Sequence, residues 1–159
     1  MPDKHAGSFL TRGARQLRER LSKARGASAV ETQAIDAATL ELQRTERQRV
    51  VDTARDGPFL DGVFSVLLFN RFRLPLDRGP YSHDLKLEEA FPSAPESDLS
   101  VARDRASRLL RAAYAAGDSH IASNFTNYAA VMTQLAADHP GFSAKTYDEA
   151  IKYGCYQAR

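Results

Sequence analysis

The sequence has only one cysteine and lacks any long apolar run. Cys155 has no second cysteine in the chain with which to form a disulfide. The first residues, MPDKHAGSFLTRGARQL, lack the apolar core that a secretory signal needs. The most apolar stretch, residues 59–69, is about half as long as the roughly twenty residues that cross a bilayer, and it contains Asp61. We therefore expect a cytoplasmic protein without a membrane span.

Motifs for catalysis and cofactor binding are also missing. The sequence contains no Gly-x-x-x-x-Gly-Lys-Ser/Thr or Gly-x-Gly-x-x-Gly phosphate loop and no Gly-x-Ser-x-Gly nucleophile elbow. A metal site on one helix needs ligands three or four residues apart, and a single cysteine does not build a thiolate site. The histidines lack this spacing: His5, His83, His120 and His139. We predict no catalytic residue, cofactor or metal ligand, although residues distant in sequence can still assemble a site.

Two histidines closely follow an acidic residue, in Asp118-Ser119-His120 and in Asp138-His139. Both pairs fall at predicted helix ends, where such residues cap the backbone and complement the helix dipole. We interpret them as caps. Cys155 falls on the inward side of the last predicted helix, where a free cysteine usually acts as a small hydrophobic side chain.

Length and composition fit one folded domain. With 159 residues, of which 43% are hydrophobic, the chain can bury a sizeable core, and we expect a single helical domain over residues 1–159 with a flexible start at 1–8. The net charge is only +2, from 22 basic and 20 acidic residues, which neither requires nor excludes a polyanionic partner. Basic charge is concentrated in residues 1–25, which carry a net +5 and leave −3 for the remainder.

Helical periodicity dominates the sequence, and no strand-like alternation of any length occurs. The predicted fold class is all-α, an irregular bundle of five or six helices. The first helix covers residues 9–25, and Ser28 can cap a second helix that extends to about Arg55. The apolar face of this second helix changes between Thr45 and Arg49, which indicates either a kink or different neighbours along its length.

The segment GPFLDGVFSVLLFN, residues 57–70, predicts the central helix of the bundle. Asp56 can cap this helix, and Pro58 occupies the first turn, where a missing N–H costs nothing. Apolar residues surround the helix axis over about 58–72, which is typical of a helix buried on all sides. We expect Phe64 to lie in the core, and we expect a partner or self-association to cover part of the apolar surplus.

A long proline-rich connection follows at residues 73–98. It holds four of the seven prolines: Pro75, Pro80, Pro92 and Pro95. Between them, residues 82–90 can form one or two helical turns. Long irregular connections inside compact domains tend to be functional or disordered, so this connection is a candidate binding surface.

Three more helices are predicted after the connection. The first has an apolar stripe from Leu99 to Ala113, with Ser97 or Asp98 as its cap and Gly117 at its end.

The next helix is predicted to open at Asp118 or Ser119. Its apolar stripe is the most regular in the chain and consists of Ile121, Phe125, Tyr128, Met132 and Leu135. Ser143 caps the last predicted helix, whose exposed side carries the i,i+4 pair of Asp148 and Lys152.

A basic N-terminal helix is the strongest functional signal. Its cations surround an apolar stripe and are candidate anion or nucleic-acid contacts: Arg12, Arg15, Arg18, Arg20, Lys23 and Arg25. Such a helix can bind nucleic-acid phosphates or lie on an anionic surface. The same pattern is more often that of a solvated surface helix, and Glu19 with Lys23 forms the i,i+4 pair expected there.

Aromatic residues beside the predicted core are either ordinary boundary residues of that core, the interpretation that we prefer for the tyrosines, or candidates for a protein interface. The candidates are Phe69, Phe72, Tyr81, Tyr153 and Tyr156. Tyrosine is enriched in interfaces, although it is also an ordinary residue at the boundary of a core. We interpret the chain as a non-enzymatic protein-protein interaction module whose partner is another protein or a second copy of itself. The alternative is nucleic-acid or anionic-surface binding through the Arg-rich helix, which would show affinity that falls steeply with salt.

Overall fold

The structure is a computed structural model that describes residues 29–72, 81 and 83–158. These ranges contain six α-helices, and none of their residues forms a β-strand. The helices are α1 (Ala29–Asp56), α2 (Phe59–Phe72), α3 (Leu87–Ala90), α4 (Glu96–Ala122), α5 (Tyr128–Asp138) and α6 (Ala144–Gln157). The prediction of an all-α fold is confirmed. The predicted flexible start at 1–8 and the predicted helix at 9–25 lie outside the described residues.

The chain divides into two compact units, each described here by itself. Among the described residues, the first unit contains 29–48, 72, 81, 83 and 84, and the second contains 49–71 and 85–158. The boundary between residues 48 and 49 falls inside α1, where the sequence predicts a change of apolar face. The single domain over residues 1–159 stays a prediction.

In the first unit, Arg47 ties α1 to the middle of the proline-rich connection. Its guanidinium donates hydrogen bonds to the carbonyl oxygens of His83, at 3.0 Å, and Asp84, at 3.2 Å. The same group lies over the ring of Tyr81, 5.9 Å from the ring centre. Arg47 is buried, and a buried charge needs such partners. Residues 81, 83 and 84 of the connection are therefore fixed to α1.

The middle of helix α2 is buried in the core of the second unit, whereas its predicted place at the centre of the bundle stays a prediction. Val63, Phe64 and Val66 have no exposed surface. Gly62 allows α2 to approach α1 closely, because a Cβ at this position would overlap the carbonyl oxygen of Ala54. Burial on all sides is confined to the middle of the helix, since both of its ends keep partly exposed apolar residues.

Two polar side chains of the second unit hold the later part of the connection. The side-chain amide of Asn70 donates to the carbonyl oxygen of Leu85 at 3.0 Å and accepts from its N–H at 2.9 Å. Arg55 donates to the carbonyl oxygens of Ala90, at 2.7 Å, and Glu89, at 2.9 Å. These two residues are the last residues of α3. Helix α3 is a single turn within residues 82–90, where the sequence predicts one or two helical turns.

Helix α4 begins and ends at different residues from those predicted. Pro95 is the residue before its first turn, which starts at Glu96, so the cap is neither of the two predicted residues. The proline-rich connection accordingly ends before residue 98. Helix α4 also continues through Gly117 to Ala122, so the predicted end at Gly117 and the predicted new helix at residues 118–119 are wrong.

Gly117 has a packing role instead of ending α4. A Cβ at Gly117 would overlap backbone atoms of Gly154 and Cys155 in α6, and a Cβ at Gly154 would overlap the carbonyl oxygen of Ala113 in α4. The two helices therefore meet backbone to backbone, an approach that glycine permits because it has no side chain. We call this contact between Gly117 and Gly154 the glycine crossing.

The turn before α6 is held by hydrogen bonds to buried groups. The Tyr147 hydroxyl donates to the carbonyl oxygen of His139 at 2.7 Å. Ser143 accepts a hydrogen bond from the N–H of Thr146 at 3.3 Å, so the predicted cap is confirmed. The N–H of Ser143 in turn donates to the buried carboxylate of Asp61 at 2.9 Å. These contacts fix the start of α6 against α2.

Candidate functional site

A cleft opens where the end of α4, the start of α5 and one side of α6 meet. Its volume is about 350 Å³, near the lower limit for ligand sites in proteins. Its lining residues all belong to the second unit, and three of them are exposed aromatic residues. We call it the aromatic cleft, and it is lined by His120, Phe125, Tyr128, Asp148, Ile151, Lys152, Cys155 and Tyr156.

The turn after α4 shapes one wall of the aromatic cleft. Asn124 takes the left-handed conformation, with a φ of 53°, and its N–H donates to the carbonyl oxygen of Ile121 at 2.9 Å. The N–H of Phe125 donates to the carbonyl oxygen of His120, also at 2.9 Å. This pair of bonds is the Schellman motif, in which a left-handed residue ends a helix. Asn124 therefore ends α4, the role that the sequence analysis assigned to Gly117.

Phe125 is held in an unfavourable backbone conformation. Its φ is 63°, in a region where a bulky L-residue is strained. The residue is 51% exposed, and its ring meets the ring of His120 edge-on, with 5.2 Å between the ring centres. Strain of this kind persists only where the surrounding structure fixes it, and it is concentrated at functional sites. The turn therefore presents the Phe125 ring at the mouth of the cleft.

His120 is buried in the wall of the cleft with a defined hydrogen-bond direction. Its Nδ1 lies 3.0 Å from the side-chain oxygen of Asn127. The amide nitrogen of Asn127 donates to the carbonyl oxygen of Ser119 at 3.4 Å, so the amide oxygen is the atom that faces His120. Nδ1 must therefore carry a proton, and in the neutral imidazole Nε2 is an acceptor. Within the described residues, Nε2 makes no hydrogen bond.

Tyr128, Asp148 and Lys152 form a hydrogen-bonded group in the cleft. The Tyr128 hydroxyl donates to one carboxylate oxygen of Asp148 at 2.5 Å, and Nζ of Lys152 donates to the other at 2.6 Å, which confirms the predicted i,i+4 pair. Burial, the hydrogen bond and the nearby negative charge raise the pKa of Tyr128 to about 12. Burial opposes ionisation of Asp148, but the hydrogen bonds from Lys152 and Tyr128 outweigh it and keep its pKa below the ordinary value.

Ile151 and Cys155 form the floor of the cleft. Ile151 is buried, and Cys155 is half-buried, with its thiol donating to the carbonyl oxygen of Gly117 at 3.7 Å. The thiol therefore faces α4, on the inward side that the sequence predicts. The glycine crossing positions this floor, because it brings the backbone of α6 against α4 at the same point.

The structure separates the five residues predicted to form a protein interface. Tyr156 lines the aromatic cleft and is 53% exposed. Tyr153, on the same helix, is half-buried and does not line the cleft. Phe69 is half-buried in the second unit, whereas Phe72 and Tyr81 belong to the first unit. An interface at these residues stays a prediction, and Tyr156 is the member that the cleft contains.

The predicted basic contacts lie outside the described residues. They are Arg12, Arg15, Arg18, Arg20, Lys23 and Arg25. In the part of the chain that is described, no helix is long and apolar enough to cross a membrane. Across the same residues, no three His, Cys, Asp or Glu side chains cluster as metal ligands would.

Sequence reasoning missed His120, Phe125 and Tyr128 as site residues. It placed Phe125 and Tyr128 on the buried stripe of a helix that ran through residue 124, and it interpreted His120 as a cap. A usable signal was present, because asparagine follows glycine as the residue that takes the left-handed position after a helix. An end at Asn124 places Phe125 in a turn and Tyr128 at the start of a new helix.

No family model, curated protein or solved structure matches the chain. The chemistry of the cleft is therefore the guide to its function. The cleft combines aromatic walls, an apolar floor, and a carboxylate and an ammonium that neutralise each other. It also contains the Nε2 atom of His120, which has no hydrogen-bond partner among the residues that the structure describes. Such an arrangement suits an apolar or aromatic group that is oriented by a single hydrogen bond.

Proposed function

We propose that this protein is a non-enzymatic interaction module that binds a segment of another protein in the aromatic cleft. The supporting observation is the exposure of three aromatic residues, Phe125, Tyr128 and Tyr156, around one cleft. Aromatic residues are enriched at the centres of protein interfaces, where they bury a large area with little loss of side-chain freedom. The strained backbone of Phe125 further supports a role for its exposed ring.

The polar groups of the cleft favour binding over catalysis. Both carboxylate oxygens of Asp148 accept hydrogen bonds, and its lowered pKa keeps it ionised near neutral pH, where a proton carrier needs a pKa near the working pH. The Cys155 thiol donates a hydrogen bond to the backbone carbonyl oxygen of Gly117. The surface that a partner would contact in the cleft is therefore mainly aromatic and aliphatic. We also propose a cytoplasmic location, where this thiol stays reduced.

Selection from a displayed library of random peptides tests the proposal. The matched proteins are the wild type, the double variant Phe125→Ala/Tyr156→Ala, and the control Val101→Ala, whose residue is exposed on α4 outside the cleft. We expect peptides selected on the wild type to bind the control equally well and the double variant at least about tenfold more weakly, as expected for interface hot spots. Equal binding to all three proteins would show that the peptides do not use the cleft.

A salt titration of the same peptides separates this proposal from the alternative. The affinity of peptides that bind through an apolar cleft should change little between low and high salt. Binding of nucleic acid through the Arg-rich segment at residues 12–25 should weaken steeply, because counterions are released from the phosphates. Full-length protein that binds only nucleic acid, with this salt dependence, would support the alternative in place of the cleft.

A further inference from the structure

The charges of the aromatic cleft restrict what can occupy it. Asp148 and Lys152 are paired at 2.6 Å, so a charged occupant would meet a like charge beside every opposite one. The rest of the lining consists of the floor residues Ile151 and Cys155 and of four rings, those of His120, Phe125, Tyr128 and Tyr156. Neutral rings pack well against such walls, in edge-on or offset contacts. The occupant that fits is therefore a neutral aromatic group.

His120 adds a requirement for one hydrogen-bond donor. The residue is only 8% exposed, and its Nδ1 is engaged by Asn127. Its Nε2 has no partner in the described residues, and a buried acceptor left unpaired is costly. An occupant that donates one hydrogen bond to Nε2 removes this cost.

We propose that the aromatic cleft holds the indole ring of a tryptophan of the partner protein, with the indole N–H donating to Nε2 of His120. This inference rests on the proposed protein-binding function. Indole has one donor and no acceptor, so it satisfies His120 without leaving a polar atom unpaired, whereas a tyrosine hydroxyl would also bring lone pairs that need donors. The volume of about 350 Å³ suits a single side chain. The chain contains no tryptophan, so the occupant comes from another protein and not from a second copy.

The absence of tryptophan also makes the site measurable by fluorescence. N-acetyl-L-tryptophanamide is the probe, and selective excitation reports the probe alone because the protein contributes only tyrosine. The comparison ligand is the same compound with a methyl group on the indole nitrogen, which removes the donor. Each ligand is titrated against the full-length wild type and against His120→Phe, which keeps an aromatic ring but has no acceptor.

The expected result is a preference for the unmethylated probe that depends on His120. The preference is the affinity for the unmethylated probe divided by the affinity for the methylated one. This ratio should be about 3- to 10-fold larger in the wild type than in His120→Phe, because one net hydrogen bond has this value. Any steric effect of the methyl group is present in both proteins and cancels in the ratio. Equal preferences in the two proteins would overturn the inference. Tyr114→Ala, which removes an exposed aromatic residue outside the cleft, should behave as the wild type.

A measurement on the unmutated protein covers the case in which His120→Phe does not fold. The ¹⁵N resonance of His120 Nε2 should shift on saturation with the unmethylated probe and should shift much less with the methylated one. Identical shifts with the two ligands would also overturn the inference. Cleft-dependent peptides that lack tryptophan would overturn it and leave the protein-binding function standing. Indole binding with this signature but without any cleft-dependent peptide would instead overturn the protein-binding function.

Discussion

At Gly117, helix α4 meets α6 backbone to backbone, whereas two turns later, at Phe125, the chain leaves α4 with a ring in solvent. The glycine crossing has no side chains of its own, and atoms of both helices fill the space around it. The rim of the aromatic cleft differs from the crossing, because its residues carry large side chains that are exposed to solvent. Its rings at Phe125, Tyr128 and Tyr156 are exposed, and one of them is attached to a strained backbone.

The difference shows that stability and recognition depend on separate residues of the same helix pair. The crossing sets the distance between α4 and α6, and with it the position of the cleft floor at Ile151 and Cys155. The rim residues are 36–53% exposed, so their replacement should cost less stability than that of a fully buried residue. Interior variants should therefore lower the free energy of unfolding, and rim variants should lower binding.

The largest effect is expected at Phe64, in the buried core of the same unit. Phe64→Ala should cost about 3–5 kcal/mol, because the residue has no exposed surface and its removal leaves a cavity. For a chain of this length, this lowers Tm by roughly 6–20 °C. Thermal unfolding followed by circular dichroism measures the shift, with the exposed Val101→Ala as control. A shift no larger than that of the control would mean that Phe64 is not part of the core.

The next effect tests the glycine crossing itself. Gly154→Ala should cost about 1–3 kcal/mol or more, since the new Cβ would overlap the carbonyl oxygen of Ala113 and neither helix backbone can move freely. Gly57→Ala is the matched control, because its Cβ would have only the Thr53 carbonyl oxygen nearby, at 3.8 Å. Chemical denaturation of both variants gives the comparison. Equal stability of the two variants would show that α4 and α6 are farther apart than described.

The two regions also differ in how far the sequence predicts them. The start signals at Asp56 and Pro58 and the apolar residues around the whole helix axis predict α2 and its buried Phe64, because a helix that is apolar on all sides is typically buried. The same reasoning fails at Gly117, since a glycine in a sequence is equally compatible with a helix end and with a close helix contact. Only the tertiary contact with Gly154 decides between them. The site was missed as a consequence, because the misplaced helix end put Phe125 on a buried stripe.

A smaller effect is expected from the strained rim residue. Phe125→Gly should be more stable than Phe125→Ala by about 1 kcal/mol, because glycine adopts a φ of 63° without the penalty that a Cβ brings. Both variants remove the ring, so the loss of the edge contact with His120 cancels in the comparison. Denaturant unfolding measures the difference. If the alanine variant is equally stable or more stable, the left-handed conformation at this residue is not a constraint of the fold.

The smallest effect is expected from the exposed pair of Asp148 and Lys152, at about 1 kcal/mol or less. The contribution of this pair to stability should depend on pH, and this dependence distinguishes it from other small effects. The pKa of Asp148 is below its ordinary 3.8, so its stabilising contribution is full above that value and is lost as the pH falls through the lowered pKa. The pKa of Tyr128 is raised from 10.0 to about 12, so its contribution is full below pH 10 and is lost as the pH rises towards 12.

The stability difference between the wild type and Asp148→Asn should therefore be largest at intermediate pH and should shrink towards both extremes. Thermal unfolding across the pH range measures it, and Tyr128→Phe isolates the alkaline arm, because this variant keeps the ring but lacks the hydroxyl that binds Asp148. Glu149, whose pKa is raised chiefly by burial, is present in all three proteins, so the comparison removes most of its contribution. A difference that does not change with pH would show that the Asp148 carboxylate is not held by its two donors. In that case its charge would not be neutralised in the cleft, and the preference for a neutral occupant would lose its electrostatic basis.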